Sequence, residues 1–118
     1  MHNFDLEERT LEFSNKIIKA FKSLPKEIIS NELIKQGIRS GTAIGANYIE
    51  ANDALSKKDF VHRLRIARKE AKETIYWLKL IIETDKNSAK NIESLIKEAD
   101  ELKRILSTII DKSGIKLR

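Results

Sequence analysis

Residues 41–80 read GTAIGANYIEANDALSKKDFVHRLRIARKEAKETIYWLKL, and this stretch decides the fold. It opens with small residues, breaks at Asn52-Asp53-Ala54-Leu55, and resumes as a long segment with helical periodicity. Ser56 has the chemistry of an N-cap, and Asp59 takes the capping-box place three residues on. An acid in that first turn also complements the helix dipole. Phe60, Leu64, Ala67, Ala71, Thr74/Ile75, Leu78 and Ile82 recur at heptad-like intervals, which predicts a helix over 57–83. A second stripe of Ile66, Glu70, Glu73, Trp77 and Leu80 flanks the first. Two stripes imply more apolar surface than one core requires, and a homo-oligomer would cover the second. Within that stripe Glu70 and Glu73 need Arg or Lys from another helix or subunit.

Upstream, Gly37, Gly41 and Gly45 lie four apart in a helix expected over 30–54. Its start is open between Pro25 at a first helical position and an N-cap at Ser30 or Asn31. Leu33, Ile34, Ile38, Ile44, Tyr48 and Ile49 supply its apolar side. Each glycine costs about 1 kcal/mol of helix propensity relative to alanine. Three on one face imply the close approach of another backbone, from the first helix, the third, or a neighbouring subunit. A phosphate-cradling loop would need a strand before it and a Lys-Ser/Thr ending, which are absent from the sequence. Asn47 and Glu50 sit near the glycine face and are expected to bond the start of the third helix or a partner.

The remaining segments are also amphipathic. Leu6, Phe13, Ile17 and Phe21, with Leu11, Ile18 and Ala20 beside them, predict a helix over 6–24 that Leu24-Pro25 ends. A strong stripe from Ile92 to Ile110 predicts a fourth over 88–112, ended by Ser113-Gly114 before a loose basic tail from Ile115 to Arg118. No segment reads as a strand. Four such helices joined by short turns imply one domain over 1–118, an all-α, antiparallel up-down four-helix bundle.

The net charge of +5 is local. Lys57, Lys58, Arg63, Arg65, Arg68, Lys69 and Lys72 face only Asp59 and Glu70 between 57 and 72, so that segment holds the whole excess. Lys58, His62, Arg65, Lys69 and Lys72 recur at intervals of four, three, four and three, with Arg68 beside them. A ridge of this kind suits phosphates, with salt-dependent and largely sequence-independent binding. It is equally the pattern of a solvated helix face. No aromatic residue interleaves it, which argues against stacking of single-stranded bases.

Other chemistries lack residues. The chain has no cysteine, so neither a disulfide nor a thiolate metal site is available. His2 and His62 have no metal-ligand spacing, and no cofactor motif is present. Glu50 lacks a histidine, cysteine or second acid placed to assist it, so the chain does not read as an enzyme. No apolar run approaches the ~20 residues of a membrane span. The polar, acidic start MHNFDLEERT is unlike a signal peptide, and a cytoplasmic protein is expected.

Several motifs together carry a family resemblance. Ala46-Asn47-Tyr48-Ile49-Glu50, Ser56-Lys57-Lys58-Asp59-Phe60, Ile66-Ala67, Lys69-Glu70-Ala71, Glu73 and Tyr76-Trp77-Leu78 resemble the four-helix bundle family also described as S23 or 23S rRNA intervening-sequence proteins. Ala51 departs from it where many members have glycine. The resemblance implies antiparallel four-helix bundles assembled as ring-like homopentamers, some encoded within large-subunit rRNA genes. A related branch, the accessory variability proteins of diversity-generating retroelements, comprises basic pentamers that bind nucleic acid and a reverse transcriptase. By this resemblance Asn47, Glu50, Ser56, Asp59, Glu70 and Glu73 are structural or interface residues. The expected function is non-enzymatic nucleic-acid binding, to RNA or an RNA/DNA species, through the basic face. The alternative is a scaffold for another protein, such as a reverse transcriptase-like partner.

Overall fold

The computed structural model describes residues 3–115, so His2 and residues 116–118 of the basic tail lie outside it. Four helices follow in order: α1 (Asn3–Lys22), α2 (Ile28–Asn52), α3 (Lys57–Thr84) and α4 (Ala89–Lys112). There is no strand among the described residues. A 3-10 turn at Lys86–Ser88 joins α3 to α4.

The ends of the helices follow local chemistry. α1 closes two residues before the expected boundary, where Ser23 and Leu24 donate three residues back to Ala20 and Phe21, both at 3.2 Å. Pro25 follows in the connection and does not open α2. Neither Ser30 nor Asn31 caps α2. Glu27 stands at the cap in extended backbone, and Asn31 donates to its carbonyl at 2.7 Å as the first helical bond. α2 ends at Asn52, two residues early, because Asp53 and Ala54 tighten onto Glu50 and Ala51. Ser56 caps α3, its Oγ accepting from Asp59 N at 3.0 Å. Gly114, at φ 78°, takes the left-handed conformation that ends α4 at little cost for glycine. Ile115 is not loose: it packs against the core.

One hydrophobic core draws on all four helices. α1 gives it Leu6, Phe13, Ile17 and Phe21, while Leu11 and Ile18 point outward. α3 gives Val61, Leu64, Ala67, Ala71, Leu78 and Ile81, with Thr74 buried among them. Phe60, Ile75 and Ile82, expected inside, flank that row half-buried. The expected apolar side of α2 is only partly inside. Ile44 and Tyr48 are buried, but Leu33, Ile34 and Ile38 are half-buried and Ile49 is exposed.

Small residues make up the difference on α2. Gly37, Ser40, Gly41 and Gly45 are buried, and the glycines face α1 of the same chain. A Cβ at Gly37 would meet the Phe21 ring at 2.8 Å, one at Gly41 would meet Ile17 Cδ1, and one at Gly45 would meet Thr10 Oγ1 at 2.9 Å. On the α3 side, Ser40 Oγ and Thr74 Oγ1 share a fully buried hydrogen bond of 2.9 Å. Ordinary side chains at these places would hold the helices apart.

α1 and α4 touch least of the neighbouring helices. Arg9 bridges them, with Nε to Glu98 Oε2 at 2.7 Å, Nη2 to Glu98 Oε1 at 2.9 Å, and Nη2 to Glu101 at 3.1 Å. The hydrogen bonds it donates to the Glu98 carboxylate are the main reason the Arg9 pKa is raised. Farther along the seam, Ala20, Ser23, Asn91 and Leu95 border an open groove of 440 Å³.

Candidate nucleic-acid interface

α3 presents its core residues to one side and its cations to the other, because intervals of three and four keep residues on one face of a helix. Lys58, His62, Lys69 and Lys72 are exposed along this outer side. From Lys58 to Lys72 the row rises about 21 Å at 1.5 Å per residue. Among the described residues, no ion pair engages Lys58, His62, Arg65, Arg68, Lys69 or Lys72.

Arg65 and Arg68 differ from the other four. Both are half-buried and reach sideways to the end of α4. Arg65 Nη2 donates to the Ile115 carbonyl at 3.2 Å, and Arg68 Nη1 donates to Ser107 Oγ at 3.2 Å. Arg65 Nε is shut off from solvent, with no hydrogen-bond partner among the described residues. These two arginines brace the C-terminal end of α4 while adding charge to the ridge.

The residues read as structural lie on other sides of the helices. Asn47 Nδ2 donates to Ala43 O at 2.9 Å, and its Oδ1 accepts from Arg63 Nη1 of α3 at 3.3 Å. Glu50 is exposed, and no ion pair among the described residues joins it to α3. Glu70 and Glu73 both meet Arg39 of α2, at 3.6 and 3.4 Å. The second stripe of α3, including Trp77, is half-buried along its length.

Tyr76 entered above only as part of a family motif, not as a residue of the ridge. It stands four residues after Lys72 and seven after Lys69, so the helix carries it onto the line of the ridge. Tyr76 is 58% exposed, and its ring meets Trp77 edge-on at 5.2 Å and 70°. Lys69, Lys72, Glu73, Tyr76 and Trp77 line a groove of 370 Å³. The indole Nε1 of Trp77 is buried and has no hydrogen-bond partner among the described residues. The signal for this feature was the spacing of Tyr76 itself: the ridge has an aromatic end even though no ring interleaves the lysines.

Among the described residues, no group of three His, Cys, Asp or Glu converges as a metal-ligand set. No helix among them is long and apolar enough to cross a membrane.

The sequence model of the 23S rRNA-intervening sequence protein family matches residues 2–108. Among solved structures, the chain is similar to a protein of unknown function from the S23 ribosomal protein family of Bacteroides thetaiotaomicron VPI-5482. The two are 38% identical, with a TM-score of 0.79 over 89% of this chain and 97% of that one. Comparison with curated proteins finds no match.

Proposed function

The chain belongs to the 23S rRNA-intervening sequence protein family, and we propose that it is a non-enzymatic, oligomeric protein of the cytoplasm that binds nucleic acid, RNA or an RNA/DNA species, through the outer side of α3. The carrying observation is the row of Lys58, His62, Lys69 and Lys72, exposed and without ion pairs among the described residues. Cations that no carboxylate neutralises are free to displace the counterions of a polyanion. The helices are inferred to run up and down in antiparallel order, supported by pairings of opposite sense: Gly37 with Phe21 and Gly45 with Thr10, Ser40 with Thr74 and Asn47 with Arg63. The homopentamer follows from family resemblance alone. It would repeat the ridge and raise avidity without new contacts.

Titration of structured RNA and duplex DNA across a salt series tests the reading. Affinity should fall steeply with salt, and Lys58→Glu, Lys69→Glu and Lys72→Glu together should abolish binding while leaving the fold intact. These three are chosen because, unlike Arg65 and Arg68, they hold no other helix. No binding at low salt, or a flat salt response, refutes the proposal. Light scattering tests the assembly, and a monomer at micromolar concentration counts against it.

A scaffold for a protein partner is the second reading, favoured by Ile28 at 85%, Ile29 at 70% and Leu55 at 98% exposure. A purified partner that binds the triple lysine variant as tightly as wild type, in the presence of nuclease, would support it.

A further inference from the structure

The aromatic end of the ridge has the makings of a base-binding subsite. Tyr76 offers an open ring face in line with Lys69 and Lys72. The Trp77 ring stands in a T-shaped arrangement with it and so limits how the tyrosine can turn. The groove between them measures 370 Å³, inside the ~300–1,000 Å³ range of small-molecule sites. Its wall also holds an acceptor. Glu73 brings a carboxylate, one oxygen of which pairs with Arg39 at 3.4 Å.

Charge selects the class of occupant. A neutral apolar ligand would leave Lys69 and Lys72 unused, and a cationic ligand would be repelled. A nucleotide unit fits both halves: its phosphates pair with the lysines and its base lies on the tyrosine. Paired bases in a duplex keep their faces stacked on one another, so only an unpaired base can use the ring. We propose that the groove of Lys69, Lys72, Glu73, Tyr76 and Trp77 takes an unpaired nucleobase, so that the ridge prefers single-stranded segments. This rests on the ridge binding phosphates, and the two ideas are separable by experiment.

Trp77 is the single tryptophan of the chain, so its fluorescence reports on this groove alone. The full-length protein is titrated at low salt with a twelve-nucleotide oligothymidylate and with an abasic strand of the same phosphate count. The thymidylate should bind about tenfold more tightly than the abasic strand and should alter Trp77 emission, which the abasic strand leaves unchanged. Tyr76→Ala, a change at an exposed position, should remove that tenfold advantage and leave abasic binding as it was. Equal binding of both strands by the wild type overturns the groove while sparing the phosphate reading, and binding of neither overturns both. An emission change that follows protein concentration and ignores both strands also overturns the groove, since a second copy would then be covering it.

Discussion

Replacing Gly45 with alanine sets helix propensity against space. Alanine is favoured over glycine in a helix interior by about 1 kcal/mol, and on an open face that gain would be kept. At position 45 the new Cβ would sit 2.9 Å from Thr10 Oγ1 and 3.1 Å from Thr10 Cβ. Thr10 has little slack: it is 1% exposed, and its hydroxyl already donates to Glu7 O at 3.0 Å. A Cβ cannot rotate away, so α1 itself must move against a core that includes Phe13 and Ile17. Overpacking of this kind costs ~1–3 kcal/mol, which leaves a net destabilisation of about 1 kcal/mol after the propensity gain. Gly41→Ala is the comparison. There the obstacle is the Cδ1 end of Ile17, which a change of rotamer moves. Urea unfolding should therefore rank Gly41→Ala above Gly45→Ala by about 1 kcal/mol at equal m-values. Adding Thr10→Ala to Gly45→Ala removes the closer atom and should show a coupling of at least ~0.5 kcal/mol. If Gly45→Ala instead gains the full propensity increment with no coupling to Thr10, the close approach of α1 is refuted.

Thr74→Val leaves the buried Ser40 hydroxyl with only the Gly37 carbonyl at 3.5 Å, and should cost about 1–2 kcal/mol by thermal melting. An unchanged Tm would show that the hydroxyl pair contributes nothing. Arg9→Ala should cost about 0.5–1 kcal/mol at low salt, discounted because Arg9 and Glu98 are part-exposed, and the loss should shrink in molar salt. A salt-independent loss would assign the effect to packing of the arginine stem. Burial raises the Tyr48 pKa above its ordinary value. The folded protein therefore holds that proton more firmly than the unfolded chain, and stability falls as pH rises past ~10. Tyr48→Phe should flatten this alkaline limb, and a limb of undiminished slope would place its origin elsewhere.

The start of α3 was legible because Ser56 and Asp59 act through bonds within one turn. Its core stripe was legible only to within a residue. Period alone does not decide between Phe60 and Val61, or between Ile81 and Ile82, since the positions of α2 and α4 choose which neighbour turns inward. α2 was harder. Hydropathy favours its isoleucines, yet its buried face is largely glycine and serine, whose value lies in the distance they permit. The glycine spacing announced a close approach without naming the partner; the tightest contacts come from Phe21, Ile17 and Thr10 of α1, with Ile81 and Thr74 of α3 next. Arg9 and Glu98 are 89 residues apart, a pairing no local pattern carries. At the candidate site, intervals of four and three placed the cations on one side, but not the sideways reach of Arg65 and Arg68. Tyr76 obeys the same arithmetic, one turn beyond Lys72.

The seam between α1 and α4 gives the protein a natural line of opening. α1 is gripped closely along one flank, by α2, while its other flank is held chiefly at the Arg9 fork. A partial opening in which α1 swings out while the other three helices stay together breaks the fewest contacts, and such openings lie below global unfolding in free energy. Amide hydrogen exchange should then be faster in α1 than in the middle of α3. The open form would present a helix bearing Phe13, Ile17 and Phe21 together with the glycine-lined slot that fits it. Two open molecules are complementary to each other, so the joint that lets α1 leave also offers a route to exchange of that helix between copies.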